Sequence, residues 1–317
     1  MRLGTVLTPI SEENLLLAAQ CSVTDLVVRY PGEDPAQLTR WQKQAERHGL
    51  AVTVVEGYLP IENLKLGVDD GTELKAMKSL LTRMGDTGIN LLCYNFMSGT
   101  DWVRTSVSVP ERGGALVSQF RLADVERAVS LNTGATPRGE LVTAEALWNH
   151  LDRFLNELLP VAERAGVVMC MHPDDPPLPQ LLGRGRIMHN VENFERLVRD
   201  WQSPSNRICF CQGAFASMGV DIPSTIRRLG PAIRYVHCRD VRGGPDDFTE
   251  TFHDNGPTDM VAAMRAYAEI GFDGPMRPDH VPMYVGETGE PGYTMLGRLF
   301  AYGYLRGLIQ AATNPSS

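Results

Sequence analysis

The sequence predicts a closed (β/α)8 barrel. Eight short apolar, β-branched runs alternate along the chain with eight segments of helical periodicity, and most connections between them are short. An open doubly wound sheet would more naturally carry a Gly-rich fingerprint after its first strand; here that position reads Thr8-Pro9-Ile10-Ser11. The 317 residues suffice for a single barrel domain over 1–317.

In order, the first strand is expected at 3–7 and its helix at 12–20, opened by Ser11 as N-cap. Strands at 25–30 and 51–58 are followed by helices at 35–48 and 72–84. The fourth strand, at 90–96, leads into a long loop excursion at 98–142 before the helix at 144–165, which Thr143 caps. A connection of that length on one domain is usually a functional excursion or lid. The second half is regular: strands at 167–172, 207–212, 233–239 and 275–279 alternate with helices at 191–201 (capped by Asn190), 222–229, 258–270 and 294–311. The strand runs are nearly continuous in apolar residues, as befits parallel strands covered on both faces.

Composition removes several function classes. With 30 Lys+Arg against 38 Asp+Glu the formal charge is −8, which disfavours a phosphate-backbone binder, including a repair nuclease on a related barrel. No apolar run approaches the roughly 20 residues of a membrane span. The N-terminal MRLGTVLTPISEEN reaches Pro and acidic residues too soon for a signal peptide. Six cysteines spread over the chain do not make a disulfide framework. A cytoplasmic protein with no nucleic-acid or membrane partner is expected.

Barrels of this kind carry their reactive groups at the C-terminal ends of the strands. Four consecutive strands here end in metal-competent side chains: VVMCMHPDD at His172, ICFCQG at Cys211, YVHCRD at His237, and MRPDH at Asp279 and His280. Neighbouring strands lie about 4.8 Å apart, so four adjacent ends can surround one ion. Because side chains alternate faces, Cys170, Cys209, Tyr235 and Arg277 are expected one layer beneath. A lone His or Cys in such a place is usually structural; four at successive strand ends favour a metal. A thiolate with two imidazoles and a carboxylate suits Zn, Fe(II) or Mn(II) rather than an all-oxygen Mg or Ca site. Asp279 and His280 are neighbours, so both can face inwards only if the strand ends there.

Other candidates lie around this set. His253, in TETFHDNGPTDM, can reach the mouth from its loop, although a solvated turn is as good a reading. Tyr293 opens the last helix. Asn95, Asp101, Trp102 and Arg104 are polar and aromatic material suited to a sugar, with Arg239 and Arg277 as further substrate-binding candidates. Arg184 and Arg186, in LLGRGRI, could hold a carboxylate but are more simply solvated loop arginines.

The strings CYNFMSGTDWVRT (93–105), MHPDDPP (171–177), VHCRDVRG (236–243), TFHDNGPTDM (251–260), GPMRPDHVP (274–282) and PGYTMLGR (291–298) resemble mannonate dehydratase. The resemblance runs in family order over nearly the whole chain. It implies a xylose-isomerase-like barrel that dehydrates D-mannonate to 2-keto-3-deoxy-D-gluconate in hexuronate breakdown. It further implies a divalent cofactor, manganese(II) with iron(II) as the alternative, on His172, Cys211, His237 and Asp279. His280 and Tyr293 match positions important for catalysis in the family, with His253 as a further acid/base candidate here, and relatives suggest a homodimer. Val281 stands where the family usually has Gly, which would set a branched side chain at the mouth. A metal-dependent isomerase or epimerase, or a dehydratase of another aldonate, is the runner-up on the same barrel.

Overall fold

Eight parallel strands close on themselves in sequential order: Arg2–Val6, Asp25–Val28, Ala51–Glu56, Leu91–Tyr94, Val168–Met171, Asn206–Cys211, Ile233–Cys238 and Pro275–Pro278. The eighth pairs back onto the first through Leu3 and Met276, which seals the barrel. This computed structural model describes residues 1–131 and 141–313. Each expected strand is present, trimmed by a residue or two where the run overshot into a loop.

Two apolar layers follow from strand alternation. Outward-facing residues such as Leu26, Val28, Val52, Val55 and Leu92 meet the helices, while Val6, Val27, Val54, Leu91, Cys93, Cys170, Cys209 and Tyr235 fill the interior. The helix Ala144–Ala165 shows how the outer layer forms. Thr143 caps it by accepting from the Ala146 N–H at 3.1 Å. Leu147, Leu151, Phe154, Leu155, Leu158 and Ala162 make one buried stripe at helical spacing. Gly166 then ends the helix in a left-handed conformation (φ 65°), which its missing Cβ permits. Ser11 and Asn190 cap their helices in the same way.

The long excursion differs from a plain loop. Ser106–Pro110 and Leu116–Arg121 form a hairpin that joins Asp247–Glu250 and Val241–Gly244, from the connection after the seventh barrel strand, in a four-stranded antiparallel sheet. Phe120 faces Phe248 across that junction, with ring centroids 5.9 Å apart. Both are buried with Val103, Leu178 and Leu181 in a small core of their own. Val103–Arg104 pairs with Val129–Ser130 at the base of the excursion. Residues 132–140 of the excursion lie outside the described residues, as do 314–317. Two short helices, Glu62–Leu66 and Gln212–Ser217, were likewise absent from the periodicity reading because neither is long enough to show a period.

Candidate active site and metal centre

At the C-terminal mouth, strand geometry brings the expected residues together. Cys211 and His237 are direct partners in the register of the sixth and seventh strands, and His237 is paired in turn with Arg277 of the eighth. His172 follows the fifth strand, its N–H bonded to the Tyr94 carbonyl at 2.7 Å. His172, Cys211 and His237 each present a ligand atom within 4.8 Å of the others. Asp279 Oδ2 lies 3.9 Å from Cys211 Sγ and 3.8 Å from His237 Nδ1. One sulfur, two imidazoles and one carboxylate converging at that spacing fit a borderline divalent transition ion, with little closure needed to reach bonding distance.

The surroundings prepare these groups to ligate. Nδ1 of His172 lies 2.7 Å from the Pro173 carbonyl, which can only accept; the proton therefore sits on Nδ1 and Nε2 is left as the ligand nitrogen. Burial opposes ionisation of Cys211, yet the Arg239 guanidinium and His172 hold its thiol well below the ordinary cysteine range. Asp279 is buried too, and Arg277, His280 and His237 keep its carboxyl well below the usual value. Its two oxygens accept from Arg277 Nη1 at 2.7 Å and Arg239 Nε at 3.0 Å.

The strand does end where two neighbouring inward residues required it. Pro278 is the last strand residue, and His280 takes a left-handed backbone (φ 41°) that turns its ring into the same cavity as Asp279. Its Nδ1 donates to Glu250 Oε1 at 2.6 Å, while Nε2 lies 3.6 Å from Asp279 Oδ1. Trp102, from the excursion, stacks on the imidazole at 4.6 Å and meets the Tyr293 ring edge-on at 5.2 Å. Tyr293 donates its hydroxyl to Asp279 Oδ1 at 3.3 Å. The cavity holds about 310 Å3, within the range of small-molecule sites. Beyond the ligand end its wall includes Arg29, Tyr58, Lys65, Asn95 and Asp101. Lys65 Nζ donates to Asn95 Oδ1 at 3.0 Å.

Some expected residues stand elsewhere. Arg104 and Arg239 do not border the cavity, because buried carboxylates occupy both. Arg104 grips Asp175 with two bonds of 2.9 Å and Glu250 with one of 2.6 Å. Arg239 bonds Asp175 at 2.8 Å and Asp279 at 3.0 Å. Arg277 does reach the cavity wall, but Glu56 and Asp279 hold its guanidinium. His253 is buried off the cavity, its imidazole pushed down to about 4 by burial. Arg186 is buried rather than solvated and donates to the Thr100 carbonyl at 2.7 Å, bracing the start of the excursion. Val281 does not crowd the mouth; its side chain packs beside Gly297 of the last helix, where a Cβ would come within 3.0 Å of it.

Three carboxylates were missed. Glu56 closes the third strand and binds Arg277 Nη2 at 2.6 Å, Tyr235 Oη at 2.7 Å and His237 Nε2 at 3.1 Å. A lone Glu ending the apolar run VTVVE was the available signal. Asp175 and Glu250 carried none, since their partners lie 71 and 146 residues away in Arg104.

Comparison with known proteins agrees with this geometry. The family model described as D-mannonate dehydratase (UxuA) matches residues 30–132 and 135–317. Mannonate dehydratase 2 of Halalkalibacterium halodurans is 34% identical over 293 residues, covering 85% of each chain. The mannonate dehydratase of Oceanobacillus iheyensis is 33% identical over 287 residues, covering 84% of this chain and 82% of its own. Among solved structures, the mannonate dehydratase of Streptococcus suis serotype 2 superposes with a TM-score of 0.89 at 27% identity, covering 100% of this chain and 96% of that one. A D-tagatose 3-epimerase-like protein, at TM-score 0.65 and 14% identity over the full length of both chains, shares the fold alone.

Proposed function

The chain belongs to the D-mannonate dehydratase family, and from that premise we propose that it removes water from D-mannonate to give 2-keto-3-deoxy-D-gluconate in hexuronate breakdown, using a divalent ion. The hydro-lyase chemistry is that of the family. One observation supports it above the rest: the four-residue donor set lies beside His280 and Tyr293 in one cavity of suitable size.

His172, Cys211, His237 and Asp279 would hold the ion, manganese(II) in preference to iron(II). When bound, it supplies Lewis acidity toward the substrate carboxylate and C2 hydroxyl, stabilising charge that develops as the C2–H bond breaks. His280 receives the C2 proton. Glu250 accepts from its Nδ1, which fixes the tautomer and leaves Nε2 to take up that proton. Burial pushes the Tyr293 phenol above its usual range, so it remains a proton donor, suited to the departing C3 hydroxyl. The C2 proton and the C3 hydroxyl together account for the water lost, and the resulting enol rearranges to the 2-keto acid. Asn95, Lys65 and Arg29 also line the cavity, where they can receive the remaining hydroxyls.

The test is a manganese-supplemented assay on D-mannonate beside a panel of other aldonates. A keto-deoxy acid formed from D-mannonate in preference to the others is expected. A product of unchanged mass would instead mean isomerisation or epimerisation, and a different preferred aldonate would move the substrate. We extend the reading to a cytoplasmic homodimer, as the family resemblance implies. Among the described residues no helix is long and apolar enough to cross a membrane, and light scattering of the purified chain decides the assembly.

A further inference from the structure

Directly beneath the catalytic donors lie two thiols that the dehydration chemistry does not use. Cys209 precedes Cys211 by two residues and so shares its inward face, one layer lower, opposite Tyr235. Cys93 is the penultimate residue of the fourth strand, opposite Glu56 and Cys170. Cys93, Cys209 and His237 present ligand atoms within 4.8 Å of one another, as the upper trio does. All three are buried, both cysteines are free thiols, and Cys93 borders the catalytic cavity, which gives an ion a way in. His237 therefore stands between two donor sets: His172, Cys211 and Asp279 above, and a pair of thiols below.

The two sets differ in softness. The upper one includes a carboxylate and suits manganese or iron, whereas two sulfurs and a nitrogen select thiophilic ions such as zinc or cadmium. Tetrahedral ligands about 2.0–2.3 Å from a zinc-class ion are separated by less than 4.8 Å, so a small inward adjustment closes the lower site. We propose that Cys93, Cys209 and His237 form a thiophilic cation site under the catalytic one, and that a zinc- or cadmium-class ion there withdraws His237 from the catalytic position and inhibits the enzyme. As each S–metal bond forms, the thiol proton passes to solvent, so no oxidant or reductant takes part. Only the inhibitory consequence rests on the dehydratase reading; ion binding does not.

Binding and inhibition are therefore read separately, on the full chain. In Cys211→Ser, where the upper sulfur is gone, cadmium(II) titration is expected to retain the ultraviolet thiolate-to-cadmium charge-transfer band at two thiolates per ion. Cys93→Ser/Cys209→Ser is expected to keep only the contribution of Cys211. The cadmium-113 resonance of the unmodified chain at saturating cadmium is expected to include a two-sulfur environment, a measurement that needs no variant to fold. Zinc inhibition of manganese-supported turnover is expected to weaken by about tenfold or more in the double variant. A cadmium-113 spectrum with one-sulfur environments only, or loss of the band in Cys211→Ser, overturns the site. Unchanged zinc inhibition in the folded double variant overturns the shared-ligand consequence. A chain that binds cadmium in this way yet never dehydrates D-mannonate would instead overturn the dehydratase reading and leave the thiol site standing.

Discussion

The barrel rim and the excursion sheet contribute to one cavity by opposite means. From the rim come His172, Cys211, His237 and Asp279, each fixed by its place at the end of a strand whose neighbours are set by parallel register. Trp102, which covers His280, and Glu250, which aims it, come from the excursion and the hairpin it pairs with, in contacts that join distant segments. The rim thus decides which donor atoms are present, while the sheet decides how His280 is held.

That division can be broken at either end. Cys211→Ser removes the sulfur from the rim and is expected to abolish both bound manganese, by elemental analysis, and turnover; equal activity in this variant and in Cys209→Ser would take Cys211 out of the site. His280→Ala should lower kcat by about 10²–10⁴ while the ion stays bound, because only proton transfer is lost. Glu250→Gln tests the sheet's share: a loss of roughly 10–100-fold in kcat with metal content unchanged and unfolding at lower denaturant is expected, and an unaltered kcat in the folded variant would deny Glu250 its orienting role.

Acidification sharpens the contrast. Glu250 and Asp175 are buried, which opposes their ionisation, yet arginines and His280 hold both carboxyls below their ordinary range. The stability such groups contribute is fully present above the unfolded carboxyl value of about 4 and is lost as pH falls through the lower folded value. Amide exchange in Ser106–Pro110 and Leu116–Arg121 is therefore expected to accelerate below about pH 4 before that of the barrel strands. The smallest effect belongs to the rim's scaffold. Thr143→Ala should cost about 1 kcal/mol in denaturant unfolding with kcat/KM unchanged, since it removes only a helix cap.

The same contrast explains what could be read before the structure. Barrel strands announce themselves through short apolar runs, and their ends carry reactive side chains in plain view, so the convergence of His172, Cys211, His237 and Asp279 and even the end of the strand before Asp279 are legible. Ser11, Thr143 and Asn190 were legible as caps because capping is local. The excursion is not, although SVSVP and LVSQFR alternate weakly, because the hairpin they form is anchored through Leu116–Arg121 to a partner strand about 130 residues away. The surroundings of Arg104 and Arg239 are hidden for a related reason: a sequence shows an arginine but not the buried carboxylates that pair with it.

Those carboxylates and arginines form a continuous lattice beneath the cavity: Arg104, Arg239 and Arg277 interleave with Glu56, Asp175, Glu250 and Asp279. Deleting any one member strands an opposite charge away from water, a penalty of several kcal/mol. Evolutionary drift in this floor is consequently confined to compensated double changes. Adaptation toward other sugar acids would instead pass through the part of the cavity wall outside this lattice, where a replacement at Tyr58 breaks no ion pair.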